Sequence, residues 1–190
     1  MTWDKQRLEK TVCERLGDVK LVVVANREPY IHSHDGEAVV CVRPASGLTT
    51  ALDPVMRACG GVWVAHGSGN ADRMVVDERD CVAVPPDNPE YTLRRVWLSK
   101  REEQGYYYGF SNEALWPLCH VAYTRPKFRP ADWQQYMAVN QKFADAVLAE
   151  IDDGPAIVFV QDYHFALLPR LVKTVRPDEV VAQFWHIPWP

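Results

Sequence analysis

The sequence predicts an α/β domain: a doubly wound, mostly parallel sheet carrying an antiparallel hairpin extension. Three observations lead there. The runs "KLVVVANR" (20–27), "VWVAHGSG" (62–69), "GPAIVFVQDYH" (154–164) and "EVVAQFWH" (179–186) are short, β-branched and apolar, as strands buried on both faces are. Residues 131–151 carry a long helical repeat. The order strand, helix, strand over 154–186 implies a right-handed parallel crossover, the unit of a Rossmann-like sheet. A length of 190 residues, 47% of them hydrophobic, suffices for one domain with a sizeable core.

The elements follow in order. Residues 3–17 read as a short amphipathic helix, with Trp3, Leu8, Val12 and Leu16 near helical spacing. After the first strand, "IHSHDGEAVVCVRP" (31–44) reads as a hairpin around Asp35-Gly36. "SGLTTALDPVMRACGG" (46–61) is a helix entered through Ser46-Gly47 and stopped at Gly60-Gly61. "CVAVPP" (81–86) and "YTLRRVWLS" (91–99) are strands around a proline-rich turn. "EEQGYYYGFSNEALWPLC" (102–119) predicts two short helices broken near Ser111-Asn112. In 131–151, Trp133, Tyr136, Met137, Asn140, Ala144, Val147, Leu148 and Ile151 recur at three- and four-residue steps. The strand at 154–164 runs directly into a helix, "YHFALLPRLVKTV", before the last strand.

In such sheets ligands sit beyond the carboxyl ends of the strands. There the sequence places Asn26-Arg27, then Asp162-Tyr163-His164, then His186: one cation, one carboxylate and two imidazoles. Ser46-Gly47 opens a helix whose free amides suit a phosphate. Each residue also has a plainer reading. Arg27 could be half of a surface ion pair, Asp162 a helix cap and His164 a satisfied core histidine. His186 is harder to dismiss, because Ile187-Pro188 forces extended backbone and holds the imidazole at the strand tip. "GSGNAD" (67–72) imitates a glycine-rich phosphate loop but lacks its spacing and lysine, so a turn is the better reading. Tyr106, Tyr107, Tyr108, Phe110 and Trp116 suit a core or a carbohydrate site. Asp162, His164 and His186 also read as a two-histidine, one-carboxylate metal triad, with no HxH or HExxH spacing to support it.

Composition narrows the classes. A net charge of −4 gives no nucleic-acid footprint. No run of about 18 apolar residues predicts a membrane span, and the charged N-terminus does not read as a signal peptide. Cys13, Cys41, Cys59, Cys81 and Cys119 are scattered and show no CxxC pair. Neither a disulfide framework nor a zinc ribbon is indicated, and a reduced, cytoplasmic setting is the simplest reading.

Taken together, "VVVANR" (22–27), "ASGL" (45–48), "GGVW" (60–63), "YYGFSNEALWP" (107–117), "YMAVNQKFAD" (136–145), "VQDYHFALLP" (160–169) and "FWHIPWP" (184–190) resemble the N-terminal half of trehalose-6-phosphate synthases, a family of retaining sugar-nucleotide glycosyltransferases. The resemblance implies the GT-B architecture of two facing Rossmann-like domains. On this view residues 1–19 are a helical extension and 20–190 an acceptor-binding domain, incomplete at its end, with the donor domain absent. It implies transfer of glucose from a nucleotide sugar, UDP-glucose, to glucose 6-phosphate. Arg27 resembles the arginine that grips the acceptor phosphate, and Tyr107 and Trp116 the aromatic pair of the acceptor pocket. Ser46-Gly47 resembles the loop approaching the donor diphosphate, Asp162 the aspartate at the sugar hydroxyls, and His186 the histidine beside the donor glucose.

The resemblance further implies no metal and no cofactor beyond the nucleotide sugar. Retention would come from front-face attack without an enzyme nucleophile, and a homo-oligomer is compatible with it. Three departures stand out: Ser46-Gly47 where the family has Gly-Gly, "VAHGSG" with His66 where it has "GWSG", and Gln161 where it has a histidine in "HDYH". They leave a related glycoside-phosphate synthase, or a non-catalytic sugar-phosphate-binding or regulatory homologue, as alternatives. With no donor domain, the isolated chain is expected to be inactive.

Overall fold

The computed structural model describes residues 4–121, 123–151 and 154–189. Six strands form one sheet: β1 (Lys20–Ala25), β4 (Val62–His66), β5 (Cys81–Val84), β6 (Tyr91–Val96), β7 (Ala156–Gln161) and β8 (Val180–Phe184). Their order is β5-β6-β4-β1-β7-β8, and every pairing is parallel except β5 with β6. β2 (Ile31–Asp35) and β3 (Ala38–Val42) form the separate antiparallel hairpin, with Asp35 opposite Ala38 around Gly36 at φ 61°.

Why β1 lies centrally follows from its composition. Val22, Val23, Val24 and Ala25 are all buried, so both faces need cover. α2 (Gly47–Cys59) covers one face, where Met56 packs with Val23, Ala25, Trp63 and Leu93. α5 (Pro130–Glu150) and α6 (Leu168–Val175) cover the other, where Phe143, Val147, Leu168 and Val172 meet Val22, Val24, Val158 and Val160. The chain builds outward from β1 to β4 and β6, then returns to place β7 and β8 on the opposite side. The reversal point lies between the carboxyl ends of β1 and β7, where such sheets open a crevice.

Three expectations are corrected. Residues 102–119 are not two broken helices. α3 (Lys100–Glu103) passes without a break through a π-helical segment (Gln104–Leu115) into α4 (Trp116–Cys119). The Trp116 amide reaches back five residues to the Ser111 carbonyl, so Ser111-Asn112 is interior. Gly105 and Gly109 let this helix pack closely on α5: a Cβ there would come within 2.6 Å of Gln135 and 2.5 Å of the Asp132 carboxylate.

The helix after β7 does not start at Tyr163. A 3-10 turn (Tyr163–Phe165) comes first, and α6 starts only at Leu168. Pro169 explains the delay, because it is tolerated in a first turn but disrupts a helix interior. β8 is a half-exposed edge strand rather than a buried one, with Val180 at 58% and Phe184 at 52% exposure. The first helix, α1 (Lys5–Leu16), buries no residue fully; it leans on α2 and is tied there by Lys5 and Arg57, which both ion-pair with Glu90. Trp3 of the expected helix lies outside the described residues. Among the described residues no helix is long and apolar enough to cross a membrane.

Candidate functional site

The residue after Arg27 anchors the site. Glu28, Asp72 and Arg95 are buried to 2%, 0% and 1% exposure, and His32 is buried beside them. The Arg95 guanidinium donates Nε to Glu28 at 2.9 Å and lies 2.9 Å from Asp72 Oδ1. It also donates to the Tyr30 and Asp72 carbonyls and to His32 Nδ1. Burial and the Asp72 carboxylate raise the Glu28 carboxyl to about 7, while burial and Arg95 lower His32. The "GSGNAD" segment is wired to this cluster. Ser68 donates its amide and hydroxyl to Glu28, and Gly69 donates its amide to Asp72. It is a structural turn, as its spacing suggested.

Next to this satisfied cluster stands an unsatisfied cleft. Two contiguous hollows, about 160 and 130 Å³, share Asn26, Arg27 and Tyr107. The first is completed by Glu28, Ile31, Pro44, His66, Ser68 and Glu103. The second is completed by Ser46, Leu48, Gln161, Asp162, His164 and His186. Strand-end topology thus brings Arg27, Asp162, His164 and His186 together with Tyr107 and Ser46. Arg27 is exposed and has no hydrogen-bond or ion-pair partner among the described residues, so the surface ion-pair reading fails.

Asp162 sits at φ 73°, a strained value for a non-glycine residue. Its Oδ1 accepts from the Tyr163 amide at 3.0 Å and from the His186 amide at 3.2 Å. It therefore caps the turn, as its plainer reading held, and also ties β7 to the His186 segment. His186 Nε2 lies 3.2 Å from Gln161 Oε1, and its ring packs edge-on against Phe184. His164 is buried between Tyr107 (5.2 Å, 9°) and Tyr163 (4.3 Å, 26°). Burial, with Arg27 and His186 nearby, lowers its pKa to about 3, which keeps the ring neutral. It is not the satisfied core histidine expected, because among the described residues its Nε2 has no partner; the Gln161 amide nitrogen has none either. Two orphaned polar atoms on residues of one cleft wall suit a polar ligand.

The remaining candidates are placed differently. Ser46 precedes α2 as its N-cap but makes no side-chain capping bond, and a Cβ on Gly47 would meet nothing within 4 Å. The α2 terminus is therefore open toward the cleft. Trp116 does not line either hollow; it is 41% exposed and stacks on His120 at 4.1 Å. Among the described residues no three His, Cys, Asp or Glu groups are arranged to hold a metal, which leaves the Asp162–His164–His186 triad without the geometry it needs. A larger cavity, about 710 Å³, lies between α1 and α2, but Lys5, Arg43, Asp53 and Arg57 on its walls are all ion-paired.

The profile of glycosyltransferase family 20 matches residues 19–190. The chain belongs to glycosyltransferase family 20. It is 38% identical over 185 residues to a trehalose-6-phosphate synthase of Mycobacterium tuberculosis, covering 96% of this chain and 37% of that protein. It is 37% identical over 188 residues to that of Mycobacterium ulcerans, covering 98% and 36%. A solved E. coli trehalose-6-phosphate protein bound with UDP-2-fluoro glucose superposes with a TM-score of 0.68 at 28% identity, over 90% of this chain and 34% of that one. An alpha,alpha-trehalose-phosphate synthase (UDP-forming) from Burkholderia vietnamiensis does so with 0.68 at 26%, over 90% and 35%. This family 20 chain thus spans little more than a third of the length of these relatives, and its fold is the N-terminal portion of a GT-B architecture.

Within the family 20 chain, sequence reasoning did not anticipate Glu103 or the Glu28–Arg95–Asp72–His32 cluster. His66 and Gln161 were visible only as departures from the family pattern. Gln161 meets His186 and His66 meets the Val96 carbonyl, so both departures fall on the cleft itself.

Proposed function

We propose that this chain is the acceptor-binding part of a synthase that moves glucose from a nucleotide sugar, UDP-glucose, onto glucose 6-phosphate to give trehalose 6-phosphate. The observation that carries the reading is Arg27, a cation at the central strand end with no partner among the described residues, in a cleft also lined by Tyr107, Asp162, His164 and His186. A guanidinium fork matches a phosphate in two parallel hydrogen bonds. Tyr107 offers a ring face to a sugar, and Trp116 joins it only if its segment moves toward the cleft. Asp162 Oδ2, not used by the bonds to Tyr163 and His186 and 3.8 Å from His164 Nδ1, can accept from a sugar hydroxyl. His186 faces the donor glucose, and the open α2 terminus at Ser46-Gly47 receives the donor diphosphate.

Catalysis on this reading is positioning and charge stabilisation of the departing diphosphate, with no cofactor beyond the nucleotide sugar. Residues 20–190 are taken as the acceptor unit, with residues 1–19 as an N-terminal extension that carries α1. These 190 residues alone are expected not to transfer glucose at a useful rate, because the donor-binding half is not among them. The test is calorimetric titration of the protein with glucose 6-phosphate. Arg27→Ala should weaken binding by about 10- to 100-fold, roughly the worth of a charge-assisted pair. Equal binding by the variant would remove Arg27 from the site. Binding without turnover in a full-length protein would favour a regulatory homologue.

A further inference from the structure

His66 ends β4, and two contacts of its own and one of the next residue fix it. Its amide lies 3.4 Å from the Asn26 carbonyl, its Nδ1 lies 3.2 Å from the Val96 carbonyl oxygen, and Gly67 packs against Trp97 so closely that a Cβ would fall 2.3 Å from the indole. A carbonyl oxygen can only accept, so Nδ1 carries the hydrogen. In the neutral ring Nε2 then carries a lone pair and can only accept. Glu103, at the end of α3, lines the same hollow half-buried, and its carboxylate has no hydrogen-bond or ion-pair partner among the described residues. Arg27 lies in that hollow, equally unpaired, and does not pair with Glu103.

An unpaired cation, a carboxylate unpaired among the described residues and a fixed imidazole acceptor make this hollow a polarised site; its other carboxylate, Glu28, is paired with Arg95. The cation suits a phosphate. The carboxylate repels one and, like the imidazole, accepts from hydroxyls. We infer that His66 and Glu103 are the specificity-determining residues of the acceptor cleft: they receive ring hydroxyls of a sugar whose phosphate lies on Arg27, and so select among hexose phosphates that differ at single carbons. This rests on the acceptor reading above and adds what that reading lacks, the groups that distinguish one sugar phosphate from another. Sites built to hydrogen-bond a hydroxyl discriminate strongly against analogues lacking it, because the buried partner is left unmatched.

The experiment is calorimetric titration of the protein with inorganic phosphate and with the 6-phosphates of glucose, mannose and galactose. The wild type should separate the sugars by roughly tenfold or more. His66→Phe and Glu103→Leu should each bring the three sugars to within about threefold while leaving inorganic phosphate binding unchanged. His66→Gln, whose amide oxygen can still accept, should keep part of the ranking. An unchanged ranking in both His66→Phe and Glu103→Leu, or a wild type that binds all three sugars equally, overturns the inference while leaving Arg27 as a phosphate site. Failure of the wild type to bind any of the four ligands overturns the acceptor reading itself, and the inference with it.

Discussion

Arg27 and Glu28 are consecutive, yet the protein treats their charges in opposite ways. Glu28 is 2% exposed and bonded to Arg95 and Ser68, in a cluster whose charges answer one another. Arg27 is exposed and bonded to nothing among the described residues. The first arrangement is architecture: it fastens the 67–72 turn and the hairpin to the sheet. The second is an unmatched charge beside a cleft where His164 Nε2 and Gln161 Nε2 also lack partners among the described residues. On the proposed reading, charge at a structural position is matched within the chain, whereas the charge of Arg27 is left for a ligand to match.

The largest effect should come from breaking the matched side. Arg95→Leu leaves Glu28 and Asp72 buried without their cation and should cost about 3–5 kcal/mol in urea denaturation. A loss under about 1 kcal/mol would show that the cluster is not structural. On the unmatched side, Arg27→Ala should change the unfolding free energy by less than about 0.5 kcal/mol. The same variant should lose roughly 1.5–3 kcal/mol of glucose 6-phosphate binding.

Acid–base behaviour separates the two regions by sign. Glu28 is raised from 4.5 to about 7 by burial and Asp72, so its contribution to stability is present below 4.5 and is lost as pH rises toward about 7. His164 is lowered from 6.5 to about 3 by burial, Arg27 and His186, so its contribution is present above 6.5 and is lost as pH falls toward 3. Stability profiles of Glu28→Gln and His164→Phe, each subtracted from wild type, should slope in opposite directions; slopes of the same sign would mean one environment is misassigned.

The smallest effect concerns two serines. Ser99 completes a capping box with Glu102 at the start of α3, and Ser99→Ala should cost about 1 kcal/mol. Ser46 makes no capping bond, so thermal unfolding of Ser46→Ala should show almost no change.

Much of the site was legible because each of its principal groups ends a strand. Arg27 follows β1, Asp162 follows β7 and His186 follows β8, and the parallel order alone brings those ends together. The ion cluster was not legible, because Glu28 and Arg95 are 67 positions apart and no local pattern marks charges that pair only through the sheet. The π-helical segment was missed for another reason. Ser111-Asn112 reads locally as a break between helices, but Ser111 is buried and Asn112 accepts a hydrogen bond from Tyr163 at 2.9 Å. Burial of Ser111 and the tertiary bond to Asn112 outweigh the local preference for a break. Trp116 shows the limit of carrying a role over by motif, since its ring stacks on His120 outside the cleft.

The central claim is that Arg27 is unpaired because a phosphate pairs it, and the most direct test is a crystal structure of the protein soaked with glucose 6-phosphate. The account predicts the phosphate within hydrogen-bond distance of the Arg27 guanidinium, with the sugar ring between Tyr107 and His66. A phosphate held elsewhere, with Arg27 still facing solvent, would contradict it.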